Sequence, residues 1–256
     1  MGLSLYGSFV ERDALVERSF DIPVPHLEED GYCIAQISDI HLGAFFSVAD
    51  LEKLLQRAAA GHPDMLAITG DLFDDENQNH QAALLLERHV DDFPDGIWYC
   101  LGNHEHFRGV PEILEDLSHT RVQVLVNDCR KVPGRSLYLA GVDYPMDRQS
   151  FKELSKEYMA EALENLPDGV PAVLLAHHPD FIDLAAKSAI ALTLSGHTHG
   201  GQFGFFGVPL LPVFKYTRGM VQQGETYGYV HCGNGSWFPC RIGCPPEIAY
   251  FNLRTV

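Results

Sequence analysis

The segment Cys33-Ile-Ala-Gln-Ile-Ser-Asp-Ile-His41 joins a short apolar run to an aspartate and a histidine. The run over residues 33–38 predicts a buried strand, and Asp39 and His41 follow where that strand ends. Side chains at positions i and i+2 of an extended stretch point to the same side. We therefore expect Asp39 and His41 to reach one metal ion together.

The same arrangement recurs four times farther along the chain, where apolar strands predicted over 64–69, 97–101, 172–176 and 190–194 also end in polar residues. The polar groups are Gly70-Asp71, Gly102-Asn103-His104-Glu105, His177-His178 and Gly196-His197-Thr198-His199. Ligands of an α/β sheet bind beyond the carboxyl ends of its strands. We expect these groups to meet at one edge.

Helical periodicity separates the strands, as in residues 48–61, where apolar side chains recur at helical spacing. Other helices are predicted over 81–90, 110–119, 151–166 and 181–187, and other strands over 122–126, 137–142, 227–232 and 248–253. This alternation predicts an α/β fold with two packed sheets. No linker is evident, so residues 1–256 are expected to form a single domain, with residues 1–32 as a lead-in strand and loop.

The charge balance excludes some classes of function. Lys and Arg number 18 against 35 Asp and Glu, which gives a formal net charge of −17. A nucleic-acid binder needs a basic surface, so nucleic acid is not the expected partner. Electrostatic docking on an anionic membrane is disfavoured for the same reason.

Cysteines and hydropathy indicate a cytoplasmic protein, either free or peripheral at the membrane. The six cysteines form no C-x-x-C pair and are expected to be reduced, although Cys240 and Cys244 could meet or bind a metal. Residues 188–214 carry no Asp, Glu, Lys or Arg and are long enough to span a bilayer. Imidazoles, glycines and prolines inside this stretch argue against a transmembrane helix.

The polar groups supply carboxylates, imidazoles and one amide oxygen. This donor set suits Mn²⁺, Fe or Zn²⁺. One carboxylate can bridge two ions, and a bridging water that loses its proton then attacks in line, which predicts phosphoester hydrolysis. His197 and His199 either converge on one ion or are divided between two.

On these motifs the chain resembles the calcineurin-like metallophosphoesterase superfamily, because all five blocks occur in order between residues 39 and 199. The resemblance implies a four-layer α-β-β-α sandwich of two mixed sheets flanked by helices, a dinuclear metal centre and a small phosphoester substrate. It implies that the first metal is held by Asp39, His41 and His199, that Asp71 bridges both, and that the second is completed by Asn103, His177 and His197.

The resemblance also implies catalytic roles. A metal-bridging hydroxide attacks the phosphorus, while His104 stabilises charge and protonates the leaving oxygen. Asp74 is expected to orient a ligand or water, because it lies three residues from Asp71. His177 is preferred to His178 as the ligand, which leaves His178 at the rim.

Within the superfamily, the Gly-His-Thr-His-Gly-Gly-Gln block of residues 196–202 resembles a bacterial phosphodiesterase branch, some members of which hydrolyse lipid-linked pyrophosphates. This favours a phosphodiester or pyrophosphate substrate, lipid-linked or nucleotide-linked. The apolar segment 203–214 is then a wall or rim for a lipid-like substrate, or packs on the core or a partner. Lys215 and Arg218 hold a distal phosphate or are simply solvated.

Two other functions stay open. One is a phosphomonoesterase or phosphoprotein phosphatase, and the other is a metal-binding scaffold without catalysis. A scaffold would be expected to lack a ligand or the His104 equivalent, whereas every expected position is filled here. The sequence does not indicate an oligomeric state.

Overall fold

The computed structural model describes residues 2–188, 190–205, 208–210, 213–236, 238 and 240–256. Its helices are α1 (Gly2–Phe9), α2 (Val48–Ala59), α3 (Glu76–His89), α4 (Asn103–Arg108), α5 (Val110–Ser118), α6 (Phe151–Leu163) and α7 (Phe181–Ala185). The strands are β1 (Val16–Val24), β2 (Tyr32–Ile37), β3 (Met65–Thr69), β4 (Ile97–Cys100), β5 (Gln123–Leu125), β6 (Asp128–Lys131), β7 (Tyr138–Val142), β8 (Ala172–Ala176), β9 (Leu192–Ser195), β10 (Gly204–Phe205), β11 (Val208–Pro209), β12 (Gly219–Gln223), β13 (Thr226–Val230) and β14 (Glu247–Thr255).

These strands form two mixed sheets and a short β10–β11 hairpin. The first sheet has the order β1-β14-β2-β3-β4-β5, in which β2 to β5 run parallel and β14 is antiparallel to β2. The second has the order β12-β13-β9-β8-β7-β6, with a parallel centre and antiparallel outer strands. The expected pair of mixed sheets is confirmed.

Alternation along β3 shows how the layers pack. Leu66 and Ile68 join a core with α2, α3 and α5, whereas Met65 and Ala67 face the other way. The latter pair packs with residues of the second sheet, because successive side chains of a strand point to opposite faces. The opposite face of the second sheet packs on α6 and α7. The layers are therefore helices, sheet, sheet and helices, as the resemblance implies.

Helix α2 shows why a predicted helix forms where it does. Ser47 and Asp50 make a reciprocal capping box at its start, and its apolar stripe is buried against the first sheet. The other helices predicted from periodicity are also present, with ends shifted by a few residues. Local sequence and tertiary packing agree in these segments.

Some elements differ from the sequence prediction. Residues 1–32 contain β1 as a strand but also helix α1, which the interpretation as strand and loop missed. The polar strands β6 and β12 were not predicted, because neither has the apolar alternation that marks a half-buried strand. Tertiary pairing with β7 and β13 overrides their weak local preference.

The topology brings the carboxyl ends of β2, β3, β8 and β9 to one rim. Backbone hydrogen bonds then join the loops that follow, from Asp39 N–H to Gly70 C=O, from His41 N–H to Asp71 C=O and from Gly196 N–H to His177 C=O. All six cysteines lie in the described ranges, and none of them forms a disulfide there. Among the helices described, none has the length and apolar character needed to cross a membrane.

Candidate metal centre

The loops at this rim hold their aspartates and histidines in a strained backbone conformation. The φ angles are 51° at Asp39, 50° at His41, 53° at Asp71, 72° at His197 and 50° at His199. Residues other than glycine seldom adopt this left-handed region, and such strain is concentrated at functional sites. The expectation that Asp39 and His41 lie on an extended stretch is wrong, although both side chains still converge.

The first cluster comprises Asp39, His41 and His199, all buried. Nε2 of His41 lies 3.0 Å from Nε2 of His199, and Oδ1 of Asp39 lies 3.6 Å from the same His199 atom. Burial, together with neighbouring His41 and Arg241, lowers the pKa of His199 well below its usual value. His199 therefore presents a neutral imidazole, the form that binds metals.

The second cluster comprises Asp71, His177 and His197. Nε2 of His177 lies 3.1 Å from Oδ2 of Asp71 and 3.3 Å from Nδ1 of His197. Nδ1 of His177 lies 2.7 Å from the Thr69 carbonyl oxygen, to which it donates. That bond turns Nε2 toward the cluster, as expected of a metal-binding imidazole.

Asp71 and His177 perturb each other's protonation. Burial alone would raise the pKa of Asp71, but nearby His177 and His41 lower it. Burial alone would lower the pKa of His177, but the Asp71 carboxylate overrides it and raises the pKa to about 10. A cation in the second cluster would therefore displace a proton from His177.

Asp71 also connects the clusters, because its Oδ2 lies 3.8 Å from Nε2 of His41. His197 and His199 fall into different clusters rather than converging on one. Two buried oxygens, Oδ2 of Asp39 and Oδ1 of Asn103, find no hydrogen-bond partner among the described residues. Cations at the two clusters would satisfy such atoms, so the residues present fit a two-metal site.

His104 lies where the clusters meet. Its backbone N–H donates to Oδ1 of Asp71, and its ring centroid is 4.4 Å from that of His41. Its Nδ1 is 2.9 Å from Oδ1 of Asp74. Burial opposes protonation, but Asp74 and Asp71 override it and raise the pKa of His104. The ring is therefore suited to donate a proton.

Asp74 also contacts more than one member of the site, as its predicted orienting role requires. Its Oδ2 lies 3.3 Å from Nδ1 of His41, and Arg108 Nε donates to its Oδ1 at 2.8 Å. Partial burial opposes ionisation, but contacts with His104, His41 and Arg108 lower the pKa of Asp74. Asp74 is thus a carboxylate in contact with two imidazole rings of the site.

Sequence reasoning missed the role of Glu105. This fully buried carboxylate accepts backbone hydrogen bonds from Gly102, Asp71, Leu72 and Phe73 at 2.7–3.0 Å. The bonds fix the loop that carries Asp71, because three of the four donors belong to it. An acid three residues after Gly102 in a helix-starting motif is the signal that would have found it.

Arg241 has the corresponding position beside the first cluster. Its fully buried guanidinium donates to the carbonyl groups of Cys232, Gly235 and Cys244. Gly235 N–H in turn donates to the Asp39 carbonyl group. Arg241 thus orders a loop that packs against Asp39.

A groove of about 860 Å³ opens beside the second cluster, where Asn103 and His197 form part of its wall. Aromatic and charged side chains line other parts of it, and among the aromatic ones Tyr144 and Phe214 have ring centroids 5.3 and 5.2 Å from that of His197. His178 lies in the same wall rather than in either cluster, and burial beside His177 lowers its pKa to about 3. A smaller groove of about 310 Å³ lies beside the first cluster, along His41, Asp74 and Arg108.

Residues after the last motif contribute unevenly. Of segment 203–214, Phe214 contacts the site, the side chains of Phe205, Val208, Leu210 and Val213 are exposed, and residues 206, 207, 211 and 212 lie outside the described residues. Lys215 Nζ is 2.6 Å from Asp183, and Arg218 donates to the Gly243 carbonyl group. These contacts do not favour a distal-phosphate role for the two cations.

Comparison with known families gives a match over residues 33–201 to the family described as calcineurin-like phosphoesterase. That range contains both clusters and His104. The match covers well over half of the chain.

Proteins similar to this chain over most of its length are described as metallophosphoesterases or as a phosphodiesterase. An uncharacterized metallophosphoesterase of Bacillus subtilis, YkuE, is 32% identical, over 91% of this chain and 82% of its own length. An uncharacterized metallophosphoesterase of Campylobacter jejuni is 33% identical over 93% of this chain, which spans only 63% of that relative. Phosphodiesterase YaeI of Escherichia coli is 27% identical, over 85% of this chain and 80% of its own length.

Among solved structures, the 5′-nucleotidase precursor from Thermus thermophilus matches with a TM-score of 0.51 and 18% identity. The match covers 79% of this chain and 49% of the other. At that identity the likeness shows the shared fold. Taken together, the family match and the relatives show that the chain belongs to the calcineurin-like phosphoesterase family.

Proposed function

We propose that this calcineurin-like phosphoesterase is a two-metal phosphodiesterase, acting on phosphodiester or pyrophosphate bonds. In this proposal Asp39, His41 and His199 hold one divalent ion, and Asn103, His177 and His197 hold the other. Asp71 is shared between them, and His104 is the catalytic acid.

The observation that carries the diesterase proposal is the open space on both sides of the clusters. The groove of about 310 Å³ lies beside the first cluster, and the groove of about 860 Å³ lies beside the second. A phosphodiester has substituents on two sides of its phosphorus, whereas a monoester has one. The two grooves therefore support a substrate that extends both ways from the metal centre.

Each residue has a task that its contacts support. Two divalent ions, when bound, would neutralise phosphate charge and activate a water nucleophile. His104, held by Asp74, would hydrogen-bond the phosphate and give its proton to the leaving oxygen. Asp74 would hold the rings of His104 and His41 in their orientations by contacting both.

Similarity supports the same choice. One relative is named a phosphodiesterase, and the Gly-His-Thr-His-Gly-Gly-Gln block resembles a bacterial phosphodiesterase branch. The donor set suits Mn²⁺, Fe or Zn²⁺. The exposed apolar side chains of the β10–β11 hairpin are compatible with a lipid-linked substrate, which comparing esters in detergent micelles with soluble esters would test.

The test is hydrolysis of bis(p-nitrophenyl) phosphate and p-nitrophenyl phosphate by metal-stripped protein resupplied with Mn²⁺, Fe²⁺ or Zn²⁺. We expect metal-dependent cleavage of the diester at a higher kcat/KM than the monoester. Asp71→Asn should reduce both to background, whereas Asp168→Asn should not, because Asp168 is exposed, lines neither groove and joins neither cluster.

Two results would overturn the proposal. A higher kcat/KM for the monoester would indicate a phosphomonoesterase or phosphoprotein phosphatase. Two bound ions without hydrolysis of either ester would favour a scaffold. Metal content measured by atomic emission separates the scaffold result from a failure to load metal.

A further inference from the structure

Two exposed cations in the larger groove, Arg148 and Lys152, are held by no hydrogen bond or close ion pair within the described ranges, although Lys152 lies in the electrostatic field of Asp180. In a chain of net charge −17, pairing is the usual state, as in Lys215 with Asp183 and Arg108 with Asp74. Cations left unpaired beside a candidate active site are available to an anionic ligand.

A buried polar group faces the same groove. His178 is only 9% exposed, and its Nδ1 accepts a hydrogen bond from the Asp180 backbone N–H at 3.2 Å. The ring proton is therefore on Nε2, which has no hydrogen-bond partner in the described part of the chain. Because His178 lines the groove, this N–H can donate to a ligand or water there.

The ring of His178 is held firmly. Its centroid lies 4.6 Å from that of Phe151 and 5.8 Å from that of Phe214. These aromatic rings flank the imidazole, and its Nδ1 is engaged by the Asp180 N–H, so Nε2 is the donor left for a ligand. Glu153 and Asp180 also line the groove, so it is not uniformly positive, and only an oxyanion near Arg148, Lys152 and His178 would be favoured.

We propose that this part of the groove, between His178 Nε2–H and the cations Arg148 and Lys152, binds a second oxyanion of the substrate, such as another phosphate. The preferred substrate is then an ester with two acidic groups, of which one is hydrolysed at the metal centre. The aromatic wall formed by Tyr144 and Phe214 packs on the organic part that joins them. This inference rests on the proposed function.

A matched pair of esters tests the inference. Thymidine 5′-(p-nitrophenyl phosphate) and its 3′-phosphorylated analogue release the same chromophore and differ only in the second phosphate. We expect the 3′-phosphate to raise kcat/KM about tenfold in the wild-type protein, the effect of one charge-assisted contact. The ratio between the two esters is the readout, so a change common to both cancels.

Variants show whether the groove is responsible. Arg148→Gln combined with Lys152→Gln should bring the ratio close to one. The control is Arg88→Gln combined with Lys187→Gln, which removes two exposed cations outside the groove and should leave the ratio unchanged. His178→Gln, which keeps an N–H donor, should retain more of the preference than His178→Leu, with metal content confirmed for both.

Calorimetry on the metal-loaded protein keeps the two proposals separate, using thymidine 3′,5′-bisphosphate against thymidine 5′-monophosphate. If the bisphosphate binds more tightly and this depends on Arg148 and Lys152, the oxyanion site in the groove is supported, whether or not the esters are hydrolysed. Absence of hydrolysis would overturn only the phosphodiesterase proposal. Two results would overturn the inference without affecting the phosphodiesterase proposal. One is hydrolysis of both esters by the wild-type protein at equal kcat/KM. The other is a preference for the 3′-phosphorylated ester that is as large in the Arg148/Lys152 double variant as in the control double variant.

Discussion

The two clusters of the candidate metal centre contain the same side chains, one aspartate and two histidines each, yet groups of opposite charge support them. Beside the second cluster, the Glu105 carboxylate accepts four backbone N–H bonds. Beside the first, the Arg241 guanidinium donates to three carbonyl groups. The sign of the charge matches the backbone groups that each loop turns inward. N–H groups require an acceptor such as Glu105, and C=O groups require a donor such as Arg241.

The difference shows how a buried loop can be held in a strained conformation. A loop without regular structure leaves backbone donors or acceptors unpaired, and burial makes each one costly. One ionised side chain satisfies several of them together, with hydrogen bonds stronger than neutral ones. We infer that the left-handed φ angles of Asp39 and Asp71 persist because these two charges hold the loops around them.

Outside the proposed metal ligands, the largest effect is expected where the two clusters meet. His104→Ala should lower kcat by about 10²–10⁴-fold, since it removes the proposed proton donor. The loss should be larger for phenyl than for p-nitrophenyl leaving groups, because p-nitrophenolate needs little protonation. Both metals should remain bound, as His104 belongs to neither proposed ligand set.

The neighbouring His106→Ala is the control, because His106 bonds Asp143 at 2.7 Å instead. Equal losses for both leaving groups would contradict an acid role for His104. Loss of metal from His104→Ala would instead indicate that the ring supports one of the clusters.

The next largest effect is expected from Glu105→Gln, on the free energy of unfolding. The amide keeps one acceptor but brings a donor group against backbone donors, so the free energy of unfolding should fall by about 3 kcal/mol. Urea denaturation of the metal-free protein measures this. The exposed Glu112→Gln on α5 is a control that should change little. Weaker metal binding at the first cluster than at the second would contradict the pairing of Glu105 with the second.

Arg241→Met should cost less, about 1–2 kcal/mol by the same measurement. Three carbonyl groups lose a donor, but the variant also removes a buried charge, whose desolvation offsets part of its hydrogen bonding. Its Nε already lacks a partner among the described residues. A larger loss of unfolding free energy in Arg241→Met than in Glu105→Gln would show that the first cluster depends more on its supporting charge than the second does.

The last contrast between the clusters concerns the pH dependence of metal affinity. Burial lowers the pKa of His199, so the first cluster has no proton to release from that ring. The Asp71 carboxylate overrides burial and raises the pKa of His177 to about 10, so metal at the second cluster must displace a proton. Affinity there should increase by up to about tenfold per pH unit from pH 7 to 9.

Competition with a fluorescent zinc chelator at pH 7, 8 and 9 measures this slope for each ion. The steeper slope should belong to the ion lost in His177→Ala. Equal slopes for the two ions would contradict the contrast between His177 and His199.

Sequence alone predicted the parts of the site that follow from local pattern. Asp39, Asp71, Asn103, His177 and His197 each follow an apolar strand, and the parallel order of β2, β3, β4, β8 and β9 brings those strand ends together. Their roles as metal ligands stay a prediction, although the geometry suits them.

The walls of the site could not be predicted in the same way. Tyr144 and His178 are adjacent only because β7 and β8 pair, and Arg148 reaches the groove from the loop before α6. No periodicity or motif in the sequence marks such a residue. The support given by Arg241 depends likewise on the path of the loop over residues 232–236, which local sequence does not encode.

Strand β14 lies between β1 and β2 in the first sheet, although it follows every other described strand in the chain. During synthesis, the edges of β1 and β2 that face β14 therefore stay unpaired until β14 has been made. Contacts over such long sequence separations form slowly and leave open edges that aggregate. Since Asp39 follows β2, we expect the metal-binding conformation to mature only after the ribosome has released β14.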